Sequence, residues 1–186
     1  MRMHLAAAAL LGLAPCLAQA DCFPISGTVQ LTPDAQCQVA SHFPTTAFTG
    51  ECFSVTMSML GIPTGRGHAG VTVEPARGSD GNVTTTPVVI PEDDAPVPRQ
   101  IVQTARSAIG VGWGPFRTTL YSSDVMVIRP SFDASGAVAA DSFISEQIVI
   151  TGTDGRGLFA NTTGHMVVIG NSFSQPARVV GELCRN

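Results

Sequence analysis

The sequence predicts an all-β fold, either a single antiparallel β-barrel of about eight to nine strands or a β-sandwich. Three observations predict it. Apolar and polar residues alternate with period two in several segments, as half-buried strands require. Gly (19) and Pro (13) are frequent and fall between those segments, where turns belong. No segment sustains a helical period. The charge balance argues against some functions. All ten basic residues are Arg, fourteen residues are Asp or Glu, and the net charge is −4. A nucleic-acid binder or a protein held on anionic lipid would carry a basic footprint instead. With 44% apolar and 13% charged residues, the chain has enough core-forming material to fold.

Residues 1–20 read as a secretory signal. Arg2 and His4 precede the apolar stretch Leu5–Leu13, and Ala18-Gln19-Ala20 is a small-x-small cleavage site. The apolar run is too short for a transmembrane helix, which needs about 20 residues. Pro15 directly before Cys16 argues against a lipoprotein. The expected location is the bacterial periplasm or the medium, with residues 21–186 as one domain. Ile25, Gly27, Val29 and Leu31 alternate with polar residues in the first strand, and Phe53, Val55, Met57 and Met59 do so in the second. Val71 and Val73 suggest a third. Thr32-Pro33-Asp34 offers the start of a helix of one or two turns. The segment 91–99 (PEDDAPVPR) reads as an exposed loop. Residues 101–111 and Phe116–Tyr121 form a hairpin around Gly112-Trp113-Gly114-Pro115. Val125–Arg129, Phe143–Thr151, His165–Asn171 and Arg178–Leu183 complete about nine strands.

Cleavage removes Cys16 and leaves Cys22, Cys37, Cys52 and Cys184. Four cysteines in an oxidising compartment imply two disulfides. Their spacing lacks the short C-x₂-C pairs of a zinc site, so no metal is expected. The preferred pairing is Cys37 with Cys52 and Cys22 with Cys184. The second pair would join the chain ends, which often lie close together.

One hairpin carries a family resemblance. The strand Glu146–Ile150 is followed by Thr151-Gly152-Thr153-Asp154-Gly155-Arg156, and Phe159-Ala160-Asn161-Thr162-Thr163-Gly164 leads into the strand His165–Gly170. This resembles the I-x-G-G-T-G-R-F/Y-x-G-A-T/R-G hairpin of the allene oxide cyclase barrel-like and dirigent proteins. Gly152, Gly155, Arg156, Phe159, Ala160, Thr163 and Gly164 match. Asp154 stands in place of Thr and Asn161 in place of Gly, while Gly157-Leu158 reads as an insertion. The resemblance covers residues 100–172 and implies a small, calycin-like barrel rather than a sandwich. It implies no single function, since that group includes cyclases, stereochemical guides and other secreted proteins.

Candidate chemistry is sparse. His42, His68 and His165 lie in separate segments without ligand spacing. Glu51, Glu74, Asp124, Asp141 and Glu146 are scattered. Glu146 shares a strand face with Ile144, Ile148 and Ile150, so inside a barrel it would be a buried acid with a raised pKa. The plainer expectation leaves it in water at the strand's open end. Arg106 and Arg117 either meet across their hairpin as an anion-facing pair or remain exposed charges. Nucleophile-elbow, zinc-protease, P-loop and EF-hand motifs are absent from the sequence. No cofactor is expected.

Three functions fit. The first is a binding module whose barrel interior or mouth holds a small apolar ligand, touching Phe53, Met57 or Met59, with Glu146 as a polar anchor. The second is a cyclase- or dirigent-type enzyme that steers a reactive intermediate. The third is a structural envelope protein with a filled barrel. An eight-stranded barrel is wide enough to be filled by side chains or to hold one small ligand.

Overall fold

The computed structural model describes residues 21–59, 62–91, 98–135, 139 and 141–185. The expected signal segment and residues 92–97 of the acidic, proline-rich segment lie outside them. The strands are β1 (Asp21–Pro33), β2 (Phe48–Met59), β3 (Ile62–Thr72), β4 (Pro75–Arg77), β5 (Val83–Thr85), β6 (Val88–Pro91), β7 (Pro98–Val111), β8 (Thr118–Arg129), β9 (Phe143–Thr153), β10 (Thr162–Ile169) and β11 (Ala177–Arg185). Eight of them close an antiparallel barrel in the order β3-β2-β1-β11-β10-β9-β8-β7, with β7 returning to β3. β7 pairs with β3 over Thr104–Val111 and with the extra strand β6 over Pro98–Val102. β4 and β5 form a small separate hairpin.

Alternation along the strands assigns the two faces of the wall. Ile25, Val29, Leu31, Val55 and Met57 are buried inside, and Phe53 and Met59 pack against the same core. β3, β7, β9, β10 and β11 add residues such as Ala69, Ile109, Ile148, Met166 and Val179. Thr28, Thr32 and Thr56 are exposed on the outside. No helix among the described residues is long and apolar enough to cross a membrane.

Three departures from the expected elements have physical causes. β3 extends well before Val71, through Thr-Gly-Arg-Gly-His-Ala-Gly, where no apolar alternation is visible. The backbone of β7 passes so close that a Cβ on Gly67 would overlap the Ala108 carbonyl oxygen. Glycine therefore stands where the pattern would need an apolar side chain. The two expected strands Phe116–Tyr121 and Val125–Arg129 are replaced by the single strand β8, Thr118–Arg129; Phe116 belongs to a 3-10 turn, and inward Ser122 and Asp124 interrupt the apolar face that would have joined the two segments. The expected helix from Thr32 does not form. Pro33 ends β1, and the Asp34 carboxylate instead accepts hydrogen bonds from the backbone N–H of Gln36 (3.0 Å) and Gln38 (2.9 Å). That turn leads into a five-residue 3-10 helix, Gln38–His42. Val39, fully buried, pins it to the outer wall against Gly70.

The two ends of the barrel differ. At one end Phe159, from the β9–β10 hairpin, and Phe23 pack against the main core with ring centroids 5.9 Å apart. The buried Thr118 hydroxyl secures that hairpin. It donates to the Arg156 carbonyl (2.6 Å) and accepts from the Phe159 N–H (3.0 Å). At the other end Phe53 and Phe173 stand 4.8 Å apart beside an open mouth. Each end carries a disulfide. Cys22–Cys184 ties β1 to β11 near the closed end, and Cys37–Cys52 ties the 3-10 segment to β2 near the mouth.

The β9–β10 hairpin supplies a test of its backbone. Gly155 has φ +71° with open space at its Cβ position, whereas Gly157 has φ +69° and a Cβ there would lie 2.5 Å from the Phe116 carbonyl oxygen. Gly155→Ala should cost about 1–2 kcal/mol, the price of a left-handed alanine. Gly157→Ala should cost more, because the loop must also move off residues 116–117. Thermal denaturation of the two variants checks the order.

Candidate functional site

The interior holds an arc of polar residues on three neighbouring strands. β7 contributes Gln103 and Ser107, β8 Ser122 and Asp124, and β9 Glu146, all buried. The ladders bring them together: Ser107 faces Ser122, Gln103 faces Met126, and Met126 in turn faces Glu146. Asp124 is fully buried, and its Oδ2 accepts a 2.5 Å hydrogen bond from the Ser107 hydroxyl. Its other oxygen, Oδ1, is buried without a hydrogen-bond partner among the described residues. Glu146 is 7% exposed. The plainer expectation put it in water, but Ile144 occupies the open end of β9 and Glu146 lies one inward position deeper.

Burial raises both acids. It pushes Asp124 up to about 6, against the pull of the Ser107 hydrogen bond. It pushes Glu146 up to about 8, and a charge on Asp124 adds to the shift. A neutral Glu146 beside an ionising Asp124 can donate a hydrogen bond at neutral pH, which an ordinary glutamate cannot.

Open space lies mainly at the mouth. A cavity of about 740 Å³ is bounded by Phe53 and Phe173 on one side and by Ile101, Ile128 and Ile144 on the other, with Gln103 at its polar edge. Asp34, Glu51 and Asn171 stand on its rim. Near the closed end, Met57 and Met59 border a void of only about 20 Å³. The structure therefore separates the four candidate ligand contacts. Phe53 is in the mouth, Met57 and Met59 are in packed core, and Glu146 is in the polar arc between them. Gln103 and Ile144 carried the alternating signal of their strands, but Phe173 comes from the β10–β11 loop and no local pattern marks it.

The remaining candidates disperse. Arg106 pairs with Glu74 at 3.0 Å rather than meeting Arg117. His165 is exposed, 3.7 Å from Glu182, and His68 lies 3.4 Å from Asp34. The one metal-like trio among the described residues, Cys22, Glu182 and Cys184, contains both sulfurs of a disulfide, so it cannot supply thiolates. No family model matches the chain, and no match is found among curated proteins or solved structures.

The buried acids make stability depend on pH. A carboxyl with a raised folded pKa keeps its proton in the native state where the unfolded chain has lost it. Stability then falls with rising pH from about 4 until the folded pKa is passed, and levels off above it. The fall should run through about pH 6 for Asp124 and continue to about pH 8 for Glu146. Glu146→Gln should flatten the upper part of the fall and raise the midpoint at pH 8. Each kcal/mol relieved is worth about 2–4 °C in a domain of this size. Thermal melts between pH 4.5 and 9 test this, and identical profiles would mean that Glu146 titrates normally.

Proposed function

We propose that the protein is an exported binding module that holds a small, mostly apolar molecule in the mouth of its barrel. The observation that carries this reading is the contrast between the two halves of the interior. The closed half retains about 20 Å³ of space, whereas the mouth opens to about 740 Å³ between Phe53, Phe173 and three isoleucines. Ligand sites of this kind span about 300–1,000 Å³ and combine apolar walls with a few placed polar groups. Gln103 is such a group, and Asp124 and Glu146 lie on the next two strands of the wall. A ligand with an apolar body and one hydrogen-bonding end fits that arrangement. Two disulfides, and the absence of a membrane-crossing helix among the described residues, agree with the periplasm or the medium.

A second reading rests on the two buried carboxyls of adjacent strands. In a cyclase- or dirigent-type enzyme, to which the β9–β10 hairpin is similar, a shaped pocket with a few polar groups steers a reactive intermediate. Asp124 and Glu146 would supply those groups. The structural reading, a filled barrel, suits the closed half alone.

Titration with the neutral fluorescent probe N-phenyl-1-naphthylamine tests the binding module. The protein should bind it saturably, and Phe173→Ala or Phe53→Ala should shift the affinity several-fold. Met57→Ala should instead cost roughly 2–5 kcal/mol of stability, as for a packed core side chain, and leave the affinity unchanged. Absence of saturable binding, or affinity unchanged from the parent protein in both phenylalanine variants, would retire the reading.

A further inference from the structure

A second concave feature lies on the outer wall and shares no lining residue with the mouth. It is a groove of about 400 Å³ across β2, β3, β7 and β8. One row of the sheet crosses it, running Thr56, Arg66, Gly110, Thr119 in register. All four positions face outward, on the opposite phase from the core residues Met57, Ile109 and Leu120. Gly110 gives the row a bare floor, and Arg117 folds back onto it. A Cβ at Gly110 would overlap the Arg117 guanidinium, whose Nη2 lies 3.5 Å from the Arg66 carbonyl oxygen. His42 from the 3-10 segment and His68 from β3 also line the groove.

The charges here are unbalanced. No carboxylate lines the groove, and among the described residues neither Arg66 nor Arg117 has one within ion-pair distance. Elsewhere on β7 the outward Arg106 is neutralised by Glu74 at 3.0 Å. The chain has fourteen acidic residues against ten basic ones, so carboxylates are not scarce. Two unpaired cations that line one groove repel each other, and an anion bound between them converts that repulsion into attraction. Guanidinium groups fork two oxygens each, and threonine hydroxyls can donate to a third. Two forks and hydroxyls suit a tetrahedral dianion with several free oxygens better than a planar monocarboxylate.

We propose that this groove is a binding site for a phosphate-class oxyanion, held between Arg66 and Arg117 over the Gly110 floor. The same chemistry is offered by a soluble phosphomonoester and by a phosphomonoester lipid headgroup.

Isothermal titration of the purified full chain with inorganic phosphate and phenyl phosphate, in a phosphate-free buffer of low ionic strength, tests the site. Saturable binding is expected. Arg66→Gln and Arg117→Gln should each weaken it about tenfold or more, the usual scale for losing a charge-assisted contact. Gly110→Ala should weaken it as well, because it displaces Arg117 without changing the net charge. Arg178→Gln, which removes an exposed arginine from β11, should leave it unchanged. In parallel, flotation with phosphatidylcholine vesicles containing phosphatidic acid identifies the source. Binding in solution alone supports a soluble phosphomonoester, and arginine-dependent vesicle binding supports a headgroup. No saturable binding in either arm would overturn the site, as would an Arg178→Gln loss equal to that of the groove variants.

Discussion

The ladder between β1 and β11 turns this sheet into a barrel, and most of the other features depend on that closure. It joins the first and last strands of the described chain over nine residue pairs, from Asp21–Arg185 to Val29–Ala177. With β3 also paired to β7, the eight-stranded ring has no free edge for another chain to join. Closure also defines a single inside. Every strand must then present its apolar phase to the same axis, which is why Ile25, Val55, Ile109, Ile148, Val168 and Leu183 belong to one core although they span the length of the chain. Cys22 and Cys184 face each other across this ladder, and their bond fixes the closure covalently. For cysteines 162 residues apart, the chain-entropy account gives about 5 kcal/mol of stabilisation.

Closure leaves the two ends to be settled by loops, and they are settled differently. The β9–β10 hairpin turns inward over its end, where Phe159 meets Phe23 and the buried Thr118 hydroxyl satisfies the hairpin's backbone. At the mouth, Phe173 leans against Phe53 and the opposite isoleucines stay clear of them. The polar arc lies between the packed half and the hollow half. Burying two carboxyls is costly, and one hydrogen bond from Ser107 only partly offsets it. A protein that needed only a filled barrel would gain stability from apolar residues at Asp124 and Glu146. Their presence fits a barrel whose interior does more than hold itself together.

Few charges of the outer wall are paired among the described residues. Arg106, His68 and His165 each have an acidic neighbour within 4 Å. Such surface pairs contribute little to stability, commonly less than about 1 kcal/mol, so their absence elsewhere is no burden to folding. Arg66 and Arg117 differ from the paired Arg106 in lining one groove together, where Gly110 makes room for the Arg117 guanidinium.

Taken alone, the sequence determined the strands whose faces are chemically pure. The inward sets of β1 and β2 and the β9–β10 hairpin were legible in it, because alternation and turn chemistry are local properties of a few consecutive residues, whereas the cysteine count implied two disulfides and left their pairing a preference. It failed where the two faces are not chemically distinct. Glycines hid the start of β3, Ser122 and Asp124 split β8, and the shared face of Glu146 with three isoleucines allowed a buried acid without deciding between burial and the open end of the strand. The tertiary structure decided which end is plugged, where the hollow lies and which charges meet. Those outcomes depend on register across the ring and on where the loops fold. Gln103 and Glu146 share a row only through Met126 of the strand between them, and Arg117 meets the Arg66 carbonyl from 51 residues away. No window of sequence holds both members of either pair, so only the closed barrel could bring them together.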